Sequence, residues 1–203
     1  MDNFEENQSE KSQEDKIETV NIADPSSGKL LKTVELKNGV PHGAVVIYDD
    51  DGSISHKLNY VEGVLSGEAE FFQKNQLIMK TNFSNNVQDG ETIVYLNGNK
   101  STIMHYKNGM LDGSFLSYDE QGHLVREVSY EDGKMQGDCN VYYPDGALME
   151  HSVYKDNLLD GEMQRYYQSG IVREISTFEN GKPVGYIDTY DIDGNLQDSR
   201  EVE

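Results

Sequence analysis

Glycine returns in this chain at a nearly fixed interval, and a chain so punctuated has no stretch long enough to wrap around one deep core. Seven large apolar residues, Leu36, Tyr60, Phe83, Tyr106, Tyr130, Tyr154 and Phe178, stand 23 or 24 residues apart. Seven positions after each comes a glycine: Gly43, Gly67, Gly90, Gly113, Gly137, Gly161 and Gly185. Five positions further lies an aromatic: Tyr48, Phe72, Tyr95, Tyr118, Tyr142, Tyr166 and Tyr190. Three after each anchor stands Gly39, Gly63, Gly109, Gly133 or Gly181, with Asn86 and Asn157 in the other two copies. Another set holds Gly52, Gly98, Gly122, Gly146, Gly170 and Gly194, with Asn75 in the second copy. These sets take 18 of the 19 glycines. The last, Gly28, precedes Leu36 by eight residues as Gly52 precedes Tyr60, so it marks the turn of a leading half-repeat.

Asparagine is the natural substitute for glycine where φ must be positive, so the exchange marks a backbone requirement. Two turns per repeat leave two segments of ordinary strand length. Those segments are rich in Tyr, Val, Ile and Phe and alternate with period two, which predicts β-hairpins and little helix. The second and third copies are one residue shorter before their turn, and in the third this leaves Asn97-Gly98, a favoured two-residue hairpin pair. The invariant glycine seven after each anchor reads as the constrained turn, so valine is expected to cost more at Gly137 or Gly161 than at Gly52. The second residue after the turn glycine (Ile54, Leu77, Lys100, Leu124, Leu148, Val172 or Leu196) should share a face with the next anchor six residues on.

The predicted fold is all-β: an elongated, single-layer antiparallel sheet of about seven tandem hairpins, each touching only its neighbours. Hydrophobic residues make up only 35% of the chain, which suits such a sheet. About fifteen strands at ~4.8 Å would run about 70 Å and twist strongly. A closed propeller needs roughly 40–50 residues per blade, which the observed period excludes. Residues 1–16 are almost wholly polar and are expected to be a disordered acidic tail. Residues 17–203 form one repeat domain, with a half-repeat at 17–35 and units beginning at 36, 60, 83, 106, 130, 154 and 178. The strand of the half-repeat should run from Lys29 to Glu35, and Glu201 to Glu203 should fray. The tail lacks the basic start and apolar run of a secretory signal, which points to the cytoplasm. The alternative is a periplasmic or lipid-anchored protein, because an acid-rich leader also follows the lipidated cysteine of bacterial lipoproteins.

The pattern N-G-x-x-D-G, as in Asn108-Gly109-Met110-Leu111-Asp112-Gly113, followed by a tyrosine and another glycine, resembles the MORN repeat. More closely, it is similar to the variant MORN repeat of bacterial antitoxins from toxin–antitoxin systems, over residues 28–200 or so. The resemblance implies a curved single-layer sheet and a protein-binding role, with membrane attachment in eukaryotic members. It brings no catalytic residue.

Nothing in the sequence points to an enzyme. The five histidines, His42, His56, His105, His123 and His151, occupy five different repeat positions and make no metal-ligand spacing. Cys139 takes a slot held elsewhere by Val45, Ala69, Phe115, Met163 and Ile187, so it reads as a packed side chain. Acid clusters such as Asp49-Asp50-Asp51 lack calcium-loop spacing and read as hairpin turns. No cofactor or metal is expected. With 37 acidic against 17 basic residues, the net charge of −20 disfavours nucleic acid and anionic membranes. The expected partner is a basic protein, such as a cognate toxin, and a general interaction scaffold or membrane-associated adaptor is the alternative. Candidate partner-binding residues are Tyr143 and Tyr167, aromatics outside the repeating set, and the charged strand residues Arg126, Glu150 and Glu174.

Overall fold

A computed structural model describes residues 15–202. They contain no helix, and all their strands join one antiparallel sheet of 19 segments. Strands β1 (Ile17–Ala23) and β2 (Leu30–Lys37) form the leading hairpin, and β3 (Val40–Tyr48) and β4 (Ile54–Val61) the next. Strands β5 (Val64–Leu65) and β6 (Gly67–Gln73) lie end to end beside β4, followed by β7 (Gln76–Ser84). The short β8 (Val87–Gln88) and β9 (Gly90–Leu96) do the same beside β7. Next come β10 (Asn99–Lys107), β11 (Met110–Tyr118), β12 (Leu124–Glu131), β13 (Lys134–Tyr142) and β14 (Leu148–Lys155). Strands β15 (Leu158–Leu159) and β16 (Gly161–Tyr166) share a line beside β14, and β17 (Val172–Glu179), β18 (Lys182–Tyr190) and β19 (Leu196–Glu201) complete the sheet. Each strand pairs with its neighbours in sequence, so chain order is sheet order.

The predicted disordered tail falls almost wholly on residues 1–14, outside the described residues. Asp15 and Lys16 do not follow that expectation. The Asp15 carboxylate lies 2.7 Å from Lys37 Nζ, and the Lys16 carbonyl accepts the Asn38 N–H. The half-repeat is also larger than expected, because β1 pairs with β2 along its length and completes a hairpin. At the other end β19 holds through Glu201, and the Val202 N–H donates to the Gly185 carbonyl at 2.9 Å. The expected fraying thus does not hold for Glu201, and Glu203 lies outside the described residues.

Tight turns sit three residues after each anchor. Asn108 and Gly109 have φ of 50° and 81°, the two left-handed residues of a type I′ turn, and the six equivalent turns share that pattern. Asn97-Gly98 and Lys74-Asn75 close the two shortened hairpins in the same way. The remaining long turns are pinned by side chains. At one of them, Asp119 Oδ1 accepts the N–H groups of Gln121 and His123 at 2.9 and 2.8 Å.

The invariant glycine is not a turn. Gly161 opens β16 directly across from Phe178, as Gly113 lies across from Tyr130. The ladder bulges there: from Met104 to Tyr106 on β10, two steps match four on β11, from Phe115 to Leu111. The sequence shows the glycine but not the bulge, because both place a left-handed residue between two alternating runs.

A second bulge overturns the expectation that leucine shares a face with the next anchor. Ser117 pairs with Arg126 but Tyr118 with Leu124, leaving Val125 unmatched. That extra residue breaks the alternation, so Leu124 lies across from Tyr118 of its own repeat.

One face carries a line of directly opposed residues that crosses the sheet. Within it Met104 faces Phe115, Phe115 faces Val128, Val128 faces Cys139 and Cys139 faces Ser152. This line is the core. Val128 is 2% exposed and Cys139 1%, and Cys139 is the packed side chain its slot predicts. Each opposed pair contributes roughly 0.2–1 kcal/mol, so stability accumulates along the array. The anchors flank the line on the same face, with the Phe115 and Tyr130 ring centroids 6.1 Å apart.

Polar side chains interrupt the apolar line, Ser152 and Ser176 as well as two threonines. Thr81 and Thr92 are each 1% exposed, their hydroxyls are 2.5 Å apart, and Gln88 Nε2 donates to both at 2.9 and 2.8 Å. Gln88→Leu should therefore lower stability by about 1–2 kcal/mol, since it strips two bonds from buried hydroxyls. Adding Thr81→Val and Thr92→Val to that variant should recover most of the loss, because no polar group then remains to satisfy. Urea midpoints of the three proteins measure both effects.

Candidate binding surface

The sheet is one layer thick, and among the described residues nothing covers either face. Beside the core line, on the same face, runs a second row. Arg126 faces Val141, Val141 faces Glu150, Glu150 faces Arg165 and Arg165 faces Glu174. Three of the five sequence candidates thus stand in one row, joined by Arg165, which the sequence reading missed. Its signal was positional: Arg165 lies two residues beyond the core slot of Met163, as Val141 lies beyond Cys139.

The row is balanced within itself. Arg165 Nε donates to Glu150 at 2.9 Å and its Nη1 to Glu174 at 3.1 Å. The Glu150 bond, then the charges of both glutamates, raise the guanidinium above its ordinary pKa. Two arginines stand against two glutamates, so this stretch carries no net charge. Arg126 Nε is buried without a hydrogen-bond partner.

Tyr143 and Tyr167 stand apart from the row, at the long-turn edge. The Tyr143 hydroxyl donates to the Tyr166 carbonyl and the Tyr167 hydroxyl to the Tyr190 carbonyl, each at 2.8 Å. Both hydroxyls tie one repeat to the next.

The opposite edge is tied through the tight turns. The Gly133 N–H donates to the Leu111 carbonyl and the Gly181 N–H to the Leu159 carbonyl, 2.7 and 2.8 Å. Where asparagine replaces the turn glycine its side chain adds a bond: Asn157 Oδ1 accepts the Met135 N–H at 2.8 Å. Asparagine therefore does more than supply a positive φ.

The reverse face is chemically different. The aromatics five after each invariant glycine project onto it. Lys57 Nζ sits 5.0 Å from the Phe72 ring centroid, and the Tyr142 hydroxyl donates to Glu127 at 3.2 Å. Burial, then the Glu127 charge, pushes the Tyr142 hydroxyl above the ordinary tyrosine pKa. Each of these aromatics except Tyr95 faces an aliphatic residue, Tyr118 with Leu124 and Tyr142 with Leu148, so an apolar strip crosses the strands. Lys100, opposite Tyr95, interrupts it once. Further along the strands Glu68, Glu91, Asp138 and Glu162 form a parallel column, one residue after their glycines. Glu70, Glu127 and Asp188 lie between the two. Against these stand Lys100 and two lysines each paired with a glutamate, Lys57 to Glu70 at 3.3 Å and Lys80 to Glu68 at 2.6 Å. The acidic excess is therefore concentrated on the reverse face and the turns.

Where the third repeat's short turn meets the fourth repeat's longer one, the rim steps down. A depression of about 490 Å³ there holds Tyr118 beside Lys100, Asp119 and Glu120. Another of about 260 Å³ holds Tyr48 beside Asp49, Asp50 and Asp51.

The histidines are scattered as their positions predict: His56 packs edge-on against Phe71, while His123 bonds Asp119. Among the described residues no three or more potential ligands cluster as a metal site. The geometry is that of a surface for recognition. No curated protein matches the chain. The family model of the MORN repeat variant matches residues 111–132 and 159–184. Two stretches of the array thus match the variant MORN repeat directly, which supports a MORN-repeat protein built as a repeat-based binding module.

Proposed function

We propose that this protein binds and neutralises a basic protein, in the manner of an antitoxin or immunity protein. The observation that carries this reading is the separation of charge: one face is balanced, while the other combines an apolar strip with columns of acids. A cationic partner gains from both, the acids accelerating encounter and the strip holding the complex. The same acids oppose nucleic acid and anionic lipid, which need basic patches. The MORN match supports a binding role but does not select the partner.

The test is binding of the purified protein to the products of neighbouring genes, followed by titration with salt. We expect one basic partner, bound tightly at low ionic strength and at least tenfold more weakly by 0.5 M salt, where exposed charges are screened within roughly 4–5 Å. A toxic partner whose activity falls on mixing completes the reading. Absence of any such partner, or binding indifferent to salt, removes it.

A further inference from the structure

The geometry points to a specific form of partner: we propose that the apolar strip of the reverse face takes an extended, arginine- or lysine-bearing polyproline-II segment, three residues to each repeat. This rests on the cationic-partner reading above and sharpens it.

Three observations lead there. The first is period. Successive aromatics of the strip, such as Tyr118 and Tyr142, are separated by two strands, about 9.6 Å at ordinary strand spacing. A polyproline-II helix repeats every three residues, about 9.3 Å. A segment lying across the strands thus brings one residue of each turn over one aromatic of each repeat. An α-helix, with its pitch of about 5.4 Å, has no such match.

The second is chemistry. Recognition of such segments uses aromatic-lined grooves, because the ligand is pre-extended and loses little entropy on binding. Here the rings are half-buried and alternate with aliphatic residues such as Leu124 and Leu148. The third is charge. Glu91, Asp138 and Glu162 are exposed and run parallel to the rings, with Ser114 in that place beside Tyr118, so a cation at one position of the triplet is offered a carboxylate in the third, fifth and sixth repeats. The protein already places cations in this way: Lys57 sits over Phe72, and Lys29 Nζ donates to the Asp50 carbonyl beside Tyr48.

The experiment uses two synthetic peptides of identical composition on the full chain, read by fluorescence anisotropy at low salt. One is (Pro-Pro-Arg)6 and the other has the same residues permuted so that arginine falls on all three sides of the helix. The ordered peptide should bind about tenfold more tightly, equivalent to about 1.4 kcal/mol. Tyr118→Ser with Tyr142→Ser should weaken it about tenfold while leaving the permuted peptide little changed. Lys100→Leu, which closes the gap in the strip, should tighten the ordered peptide severalfold more than the permuted one, since the lost charge acts equally on both, and this gain cannot arise from misfolding. Equal affinity for both peptides would overturn the inference and leave the cationic-partner reading standing, since charge alone would then explain binding. Binding of neither peptide, with a basic protein partner still bound, would overturn it too. Failure of every cationic probe would remove both.

Discussion

Gly161→Val should cost this protein about 3 kcal/mol or more, seen as a fall of roughly 6–12 °C in the melting midpoint. Gly161 holds φ at +134°, a region L-residues avoid, and an added Cβ would sit 3.1 Å from Val153 Cβ. Both strands at that point are locked by ladder bonds, so neither atom can retreat. Gly52→Val is the control. Its φ is +83° and nothing lies within 4 Å of an added Cβ, so the loss should be only about 1 kcal/mol. Melts followed by circular dichroism at 218 nm compare the two directly. Equal losses would mean that the bulge relaxes more easily than its paired strands allow.

Val128→Asp should be the most damaging single change, on the order of 4 kcal/mol at neutral pH. Val128 is 2% exposed between Phe115 and Cys139, and the cation of its own strand, Arg126, stands in the neighbouring row and not in the core line. A carboxyl forced there has its pKa raised above the unfolded value. Its destabilisation is therefore greatest above the raised pKa and shrinks as pH falls toward the unfolded pKa of about 3.9. Because each repeat contacts only its neighbours, the damage should stay local. The single melt should split in two, and hydrogen exchange should quicken first in β11 to β13. A single transition with uniform exchange would show that the array melts as a whole.

The fold was legible because its turns demand particular residues. Asn97-Gly98 gives both the site and the type of its turn, and the anchor-plus-three positions mark the others. What the sequence concealed were the two bulges. A residue such as Val125 changes which face its neighbours join without changing composition, so the face expected for Leu124 was the wrong one. The invariant glycines were misread for a related reason, since a strand bulge and a turn both need left-handed backbone. The candidate surface was partly legible: Arg126, Glu150 and Glu174 occupy equivalent slots and do align. Their neutralisation by Arg165 depends on cross-strand register, which a linear pattern does not reveal. The hydroxyl bonds of Tyr143 and Tyr167 to the following repeat depend on loop stacking and left no trace in the spacing.

Chain order equals sheet order, and every junction closes with the same opposed glycine and aromatic. Excision of residues 130–153 would therefore bring Tyr154 opposite Gly113 and Met163 opposite Val128, the same kinds of residue that meet at a native junction. Such a protein can grow or shrink by whole modules without redesigning its joints. Its contact length on a partner then becomes a heritable variable, set by how many copies of a 24-residue segment its gene carries.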